Sequence, residues 1–420
     1  MSHEELLKGL RKTVEQVLKA PYYKKKLADV GIDYPQDIRS LDDFWKIPLT
    51  EKEDLRQNYP FGLFAEPMER IVRVHASSGT TGKPTVVGYT RDDIQLWAKI
   101  VANGLRRIGV TSNDVVQVAY GYGLFTGGMG LHYGCEELGA LAIPISGGNT
   151  QRQLMIMRDF GSTVLCCTPS YALYLAESLE EAGISRDELK LRVGIFGAEP
   201  WTDQMREEIE SRLGIRAVDI YGLSEIMGPG VSMECLKGEG LHIDEHFYPE
   251  ILDKEGNPVP EGTVGELVLT SLDKKGFPVL RYRTKDLTSI SYGQCVCGHH
   301  GWTMKRVSAR VDDMLIIRGV NVFPSQVEEA ILSVGGIEPH YLIIVDREGT
   351  LDTLEVLVEV NTDSFTDEIR QLEQLQESLE VKIEDILGLS VKVRLVEPKS
   401  ITRSEGKAKR VIDKRQEKLL

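Results

Sequence analysis

VVQVAY (115–120), ALAIPI (140–145), STVLCCT (162–168), LRVGIF (191–196) and AVDIYG (217–222) follow one another along the middle of the chain, and their reading decides the fold. Each run is short, rich in β-formers and bounded by glycine or proline. Residues 91–105 and 150–160, in between, place apolar side chains at helical spacing. Strands that alternate with helices need crossover connections, and these give parallel pairing with a helical cover. A mainly parallel sheet between helices is expected here.

Outward from this stretch the texture changes on both sides. Residues 1–60 read as helices and turns, with Leu6, Leu7, Leu10, Val14, Val17 and Leu18 at helical spacing. On the other side, HFYPEILDKEGNPVPEGTVGELVLTSL (246–272) sets turn signals at 254–257 and 260–262 between strand-like runs, which predicts a β-rich antiparallel subdomain. After Val311 come MLIIRG, a helix over about 324–332, HYLIIVD, LEVLVEV, a charged helix over 363–385, and VKVRLVE. That order fits a small α+β unit with its helices on one face. The expectation is an α/β protein with a large N-terminal domain, 1–311, and a small mobile C-terminal domain, 312–420.

Composition narrows the partners. The 64 acidic and 50 basic side chains give a formal charge of −14, the wrong sign for a protein that grips nucleic acid. The longest apolar runs, 141–145 and 163–167, are far too short to cross a bilayer, so no membrane partner is expected. Six cysteines with no secretion signal suit a reducing compartment, and the cytoplasm is the expected location.

SSGTTGKPT (77–85) crowds two glycines, one lysine and four hydroxyl residues before its proline and closing threonine. Such a loop offers backbone N–H groups, hydroxyls and a mobile ammonium to phosphate oxygens. It is not a Walker loop, whose Gly-Lys-Ser/Thr opens a helix: here Pro84 follows the lysine, and TVVGYT reads as a strand.

FGAEP (196–200), YGLSE (221–225), RYRTKD (281–286), RVDDMLIIRGVNVFPSQVE (310–328) and SITRSEGKAKR (400–410) follow the loop in order. Together they resemble the adenylate-forming superfamily of acyl-CoA synthetases, adenylation domains and luciferases. GYGLFTGGMGLHYG (121–134) and IPISGGNTQRQ (143–153) look like its phenylacetate–CoA ligase branch. The resemblance implies activation of a small aromatic carboxylic acid by ATP with Mg²⁺, release of diphosphate, and transfer of the acyl group to coenzyme A. It also implies a homodimer.

Each role that the resemblance implies has a physical sense. Two anions must meet when a carboxylate attacks the α-phosphate, so charge neutralisation dominates. Ser77, Ser78, Gly79, Thr80, Thr81, Gly82 and Lys83 would hold the outer phosphates, and Glu225 would bind Mg²⁺. Gly197, Ala198, Glu199, Pro200, Asp219, Tyr221, Gly222 and Ser224 would surround the nucleotide. Asp286 and Arg310 would approach the ribose. Lys407 would reach between carboxylate and α-phosphate, with Lys409 as a rival because the segment departs from the commoner family form. Asp312 would be the hinge on which the small domain turns between the two half-reactions.

In AYGYGLFTGGMGLHYG (119–134), glycines remove side-chain volume while aromatic faces remain, which suits a flat apolar ligand. Tyr122, Phe125, Gly127, Ala198 and Leu223 are the expected acyl pocket. CVC (295–297) on a glycine-bounded turn, with Cys235 and His242 in ECLKGEGLH, would make a tetrahedral Cys₃His site for a structural zinc ion. His246 and His299 are alternative ligands, and unpaired surface cysteines are the alternative to any metal. Cys135, Cys166 and Cys167 read as core residues. Two other functions stay open on these residues: the same adenylation with another acid, such as indoleacetate, or another acceptor, and a nucleotide- or acyl-binding sensor without chemistry.

Overall fold

The computed structural model describes residues 3–77, 84–238, 240–348, 351–361 and 369–415. The chain divides into two compact units. The first comprises residues 1–167, 187–198 and 218–306. The second comprises residues 168–186, 199–217 and 307–420.

A nine-stranded sheet is the frame of the first unit. Its order is Ile290–Gln294, His300–Met304, Leu241–Ile243, Gly228–Glu234, Arg216–Leu223, Val193–Gly197, Val164–Cys167, Val115–Val118 and Leu141–Ile143. The five strands expected from the sequence are adjacent in this sheet, and the pairs around Val164–Cys167 and Val115–Val118 are parallel. Val116, Val118, Leu165, Cys166, Cys167 and Ile195 are all buried, as strands covered on both faces require. Cys135 is buried on the helix Gly127–Leu138. The sheet then continues through four strands that the sequence reading did not separate, and their pairing is antiparallel.

Phe247–Leu252, Gly265–Ser271 and Tyr282–Thr288 belong to a separate sheet of this unit. These three strands pair antiparallel, as the turn signals at 254–257 and 260–262 predict. The N-terminal helix His3–Val17 buries Leu7, Leu10, Val14 and Val17. Thr13 in that helix donates its hydroxyl to Ser271 O and Leu272 O at 3.0 and 3.1 Å, which ties the helix to this sheet.

The second unit holds a four-stranded sheet in the order Lys392–Val396, Leu351–Val360, Ile337–Glu348, Val411–Asp413. Helices Pro324–Leu332 and Ile369–Leu387 supply Val327, Ala330, Ile331, Leu379 and Ile383 to one core with Tyr341, Ile343, Val345, Val356 and Val358. Helices Pro169–Glu181 and Asp203–Leu213 belong to this unit as well. Among the described residues, no helix is long and apolar enough to cross a membrane.

Candidate active site and metal centre

The expected phosphate loop lies in sequence between two paired strands of the first unit. Strand Ile71–Ser77 pairs antiparallel with Thr85–Thr90, and Ser77 stands opposite Thr85. A strand follows the loop, as TVVGYT predicts. Ser78, Gly79, Thr80, Thr81, Gly82 and Lys83 lie outside the described residues. Beyond the second strand, Thr90 caps the helix Arg91–Arg107 by accepting from Asp93 N. Asp93 in turn accepts from Lys275 N at 2.6 Å and Gly276 N at 2.9 Å.

Strand Arg216–Leu223 ends in the turn that carries Ser224 and Glu225, both buried. Ser224 Oγ is 3.0 Å from Thr126 Oγ1, which joins this turn to the aromatic–glycine tract. Lys274 is buried nearby, donates to Ile226 O at 2.8 Å and lies 4.4 Å from the centre of the Tyr89 ring. Burial pushes its ammonium down to about 7, against the upward pull of the Asp93 and Glu225 carboxylates. Tyr221 donates its hydroxyl to Asp286 Oδ2 at 2.6 Å, so two expected nucleotide residues meet. Asp219 is buried in mid-strand, its N–H donated to Glu234 Oε2 at 2.8 Å.

Close backbone approach accounts for two glycines of the expected nucleotide set. A Cβ at Gly222 would lie 1.9 Å from Gly228 O, and one at Gly197 would lie 2.1 Å from Ile220 O. Ala198 sits in the left-handed region at φ 72°, a strained conformation for a residue with a Cβ.

Around the expected acyl pocket, Tyr122 Oη lies 3.4 Å from His132 Nδ1, and His132 Nε2 lies 3.2 Å from Glu136 Oε1. Phe125 is partly exposed, and a Cβ at Gly127 would meet its ring at 2.6 Å. Leu223 is half-buried at the end of its strand.

The second unit places the remaining residues. Arg310 donates to both carboxylate oxygens of Asp312, at 3.0 and 3.2 Å, so the expected ribose ligand and hinge form an ion pair. Lys407 is exposed, but its backbone neighbours are held. Thr168 Oγ1 donates to Gly406 O at 3.0 Å, and Ala408 N donates to Glu199 Oε2 at 2.9 Å. Glu199 Oε1 accepts from Ser170 N at 2.8 Å and Ser170 Oγ at 2.5 Å. Glu199, expected beside the nucleotide, thus has its carboxylate engaged on the lysine segment. Lys409 is exposed too. The sequence reading did not single out Thr168, Ser170, Glu177, His340, Glu359 or Arg403; Arg403 lay inside a motif of the family resemblance, and Thr168, His340 and Glu359 lay inside runs read only as strands.

Cys235, His242, Cys295 and Cys297 converge in the first unit, with ligand atoms all within 4.8 Å of one another. Cys235 Sγ is 3.8 Å from Cys295 Sγ, and Cys297 Sγ is 3.3 Å from His242 Nε2. A tetrahedron with metal–sulfur bonds of about 2.3 Å has edges of roughly 3.8 Å. A disulfide would bring sulfurs to about 2.0 Å, and every described cysteine is free. His242 Nδ1 lies 3.1 Å from Thr303 Oγ1, which orients Nε2 towards the sulfurs. Burial, then the neighbouring His299 and Arg107, push this imidazole down to about 4. Arg107 adds a further sign: its Nε and Nη2 are buried with no hydrogen-bond partner among the described residues. Burial pushes the guanidinium down, against the pull of Asp244 and of any charge carried by Cys297 and Cys235. Three thiolates around a divalent ion leave one net negative charge for that guanidinium to offset. The donor set therefore fits a metal ion. The alternative ligands do not join it: His246 Nδ1 is 2.7 Å from Asp273 Oδ2, and His299 lies against the His242 ring, 4.4 Å between centroids.

Comparison with known proteins agrees along the whole chain. Residues 32–272 match the AMP-binding enzyme family, and residues 319–415 match the AMP-binding enzyme C-terminal domain. The phenylacetate–coenzyme A ligase of Escherichia coli strain K12 is 53% identical over 94% of this chain and 90% of its own. That of Thermus thermophilus is 49% identical over 98% of this chain and 96% of its own. A crystal structure of 2-hydroxyisobutyryl-CoA ligase, in the postadenylation state with R3-HIB-AMP, covers 99% of this chain and 90% of its own at 28% identity and a TM-score of 0.92. The chain belongs to the AMP-binding enzyme family, in its phenylacetate–CoA ligase branch.

Proposed function

We propose that this protein is an AMP-forming acid–thiol ligase that converts phenylacetate, ATP and coenzyme A to phenylacetyl-CoA, AMP and diphosphate. What carries this is the likeness to phenylacetate–CoA ligases, 53% identity over 94% of the chain. The arrangement of residues supports it: Tyr221 is hydrogen-bonded to Asp286, the strands on either side of the expected phosphate loop pair with each other, and Gly406 and Ala408 are anchored on either side of Lys407.

In this reading the phenylacetate carboxylate attacks the α-phosphorus and diphosphate leaves. Lys407 offers its ammonium to the two anions as they approach, and Asp286 accepts from the ribose hydroxyls. Glu225 would hold Mg²⁺, which when bound supplies positive charge to the phosphates. The thiol of coenzyme A then attacks the acyl carbon; the bond to AMP breaks and the thiol proton is lost to solvent. Phe125 and Tyr122 receive the ring, with Gly127 leaving the Phe125 face uncovered. Cys235, His242, Cys295 and Cys297 would hold Zn²⁺, which when bound cross-links two loops of the sheet edge. A cytoplasmic location and a homodimeric assembly complete the proposal, the first on the free cysteines and the second on the family resemblance.

The test is AMP release from ATP with phenylacetate, hydroxyphenylacetate, indoleacetate and aliphatic acids, each with and without coenzyme A. Phenylacetate should give the highest kcat/KM, with sustained turnover only when coenzyme A is present. AMP release with another acid preferred would replace the substrate; sustained turnover without coenzyme A would replace the acceptor.

A further inference from the structure

The segment 399–410 carries Lys407 and forms no strand until Val411–Asp413. A lysine that must reach reacting atoms needs its backbone fixed by something else. Arg403, four positions earlier, is the most heavily bonded side chain of the segment. Nε and Nη2 donate to Glu177 at 2.9 and 3.1 Å. Nη1 and Nη2 donate to Glu359 at 2.7 and 2.8 Å, and Nη1 also donates to Ile401 O at 2.9 Å. All five N–H groups of a guanidinium are thereby used.

The two carboxylates are engaged on their other sides too. Glu359, fully buried, accepts from Lys399 N at 3.0 Å and Ile401 N at 2.6 Å. Glu177, on the helix Pro169–Glu181, lies 2.6 Å from His340 Nε2. Burial alone would push the Glu177 carboxyl up, but His340 and Arg403 overcome it and hold the group at about 2. Residues 399–403 are thus gripped by Glu359 and Glu177, while Gly406 and Ala408 are gripped by Thr168 and Glu199. Lys407 lies inside the second grip, directly after the first. Bidentate Arg–carboxylate pairs fix orientation as well as distance, which an ordinary hydrophobic contact would not do.

We propose that Arg403, clamped between Glu177 and Glu359, is a positioning residue for Lys407, and that Glu177 is needed for adenylation without touching substrate. The inference rests on Lys407 being the lysine of acyl-adenylate formation. Nothing in the clamp bears on the second half-reaction, in which the acyl carbon rather than the phosphate is attacked.

Three variants test it: Glu177→Gln, Arg403→Lys and, as reference, Lys407→Ala. Each is assayed for phenylacetate-dependent pyrophosphate exchange, and for thioester formation from chemically prepared phenylacetyl-adenylate and coenzyme A. A displaced lysine should cost Glu177→Gln roughly 100-fold in the kcat of exchange, with the KM for ATP and the rate of thioester formation within about threefold of the parent. Arg403→Lys, which keeps charge but cannot bridge both carboxylates, should show the same split. Exchange that stays normal in Glu177→Gln while Lys407→Ala abolishes it overturns the clamp alone. Normal exchange in Lys407→Ala overturns the lysine reading and the clamp with it. Equal losses in both half-reactions, with a lowered melting temperature, would make the cluster merely structural. Should Arg403→Lys fail to fold, Glu177→Gln, which keeps the shape but replaces one acceptor oxygen with an amide N–H₂, decides.

Discussion

Two polar clusters in this molecule join stretches of chain that are remote in sequence, and they do so with opposite chemistry. In the first unit, three thiols and one imidazole bring their ligand atoms within 4.8 Å of one another, a spacing that suits sulfur and nitrogen around a cation. In the second unit, Arg403, Glu177, Glu359 and His340 meet at ordinary hydrogen-bond distances and satisfy one another. On the zinc reading, the first cluster is complete only with an ion added. The second is complete as it stands. A metal cluster therefore ties stability to metal supply, whereas a self-satisfied charge cluster can serve geometry, because no ligand has to arrive before it is formed.

That difference can be broken by experiment. The largest effect is expected where geometry meets chemistry. Lys407→Ala should lower the rate of adenylate formation by about 1,000-fold, roughly 4 kcal/mol of barrier, while leaving folding stability within about 0.5 kcal/mol. Rapid-quench measurement of acyl-adenylate, alongside denaturant unfolding, checks both halves. Normal adenylate formation would pass the role to Lys409.

The metal cluster should behave in the opposite sense. Freshly purified protein should carry about one equivalent of zinc by elemental analysis, and Cys297→Ser should lower stability by on the order of 4 kcal/mol. The fraction that stays folded should keep its specific activity. A purified protein with no metal would remove the zinc reading, and activity lost in step with zinc would make the centre part of the chemistry.

A third cluster sharpens the contrast, since it stabilises by charge and without metal. Asp114 accepts from Arg192 Nε and Nη2 at 3.1 and 2.7 Å and from Thr163 Oγ1 at 2.7 Å, all within the first unit. Burial would push its carboxyl up, but Arg192 and the hydrogen bonds hold it down at about 2. A carboxyl depressed on folding contributes stability that is fully present above its unfolded value near 4 and is lost as pH falls through about 2. Asp114→Asn should therefore cost roughly 2 kcal/mol at neutral pH. Urea unfolding should show this deficit shrinking from pH 4 towards pH 2, with no response to chelators. A deficit that does not change over that range would mean the charge contributes nothing.

How much of this was legible in the sequence follows from residue type. Cysteine is rare, with six in the chain, so CVC and ECLKGEGLH stood out although 60 residues separate Cys235 from Cys295. Arg403 and Glu177 lie 226 positions apart among 64 acidic and 50 basic side chains; Arg403 sits in a motif read for its lysine, and nothing in the sequence links it to Glu177. The parallel half of the large sheet was readable because its strands are apolar runs. The antiparallel half was not: GPGVSME opens on glycine and proline, residues that favour turns over strands, and Leu241–Ile243 is only three residues long. Glu199 was placed by its motif, but no motif indicates that its carboxylate reaches Ser170 and the backbone of Ala408.

An acyl-adenylate made from an aromatic acid is the central intermediate, and oxygen tracing observes its formation directly. Phenylacetate labelled with ¹⁸O in its carboxylate is incubated with ATP, Mg²⁺ and coenzyme A, and the products are weighed by mass spectrometry. Attack of the carboxylate on the α-phosphorus, followed by thiol attack on the acyl carbon, leaves one carboxylate oxygen on the nucleotide. The predicted result is AMP carrying one ¹⁸O, formed in equal amount with phenylacetyl-CoA. Label in inorganic phosphate alongside ADP, or unlabelled AMP, would contradict it.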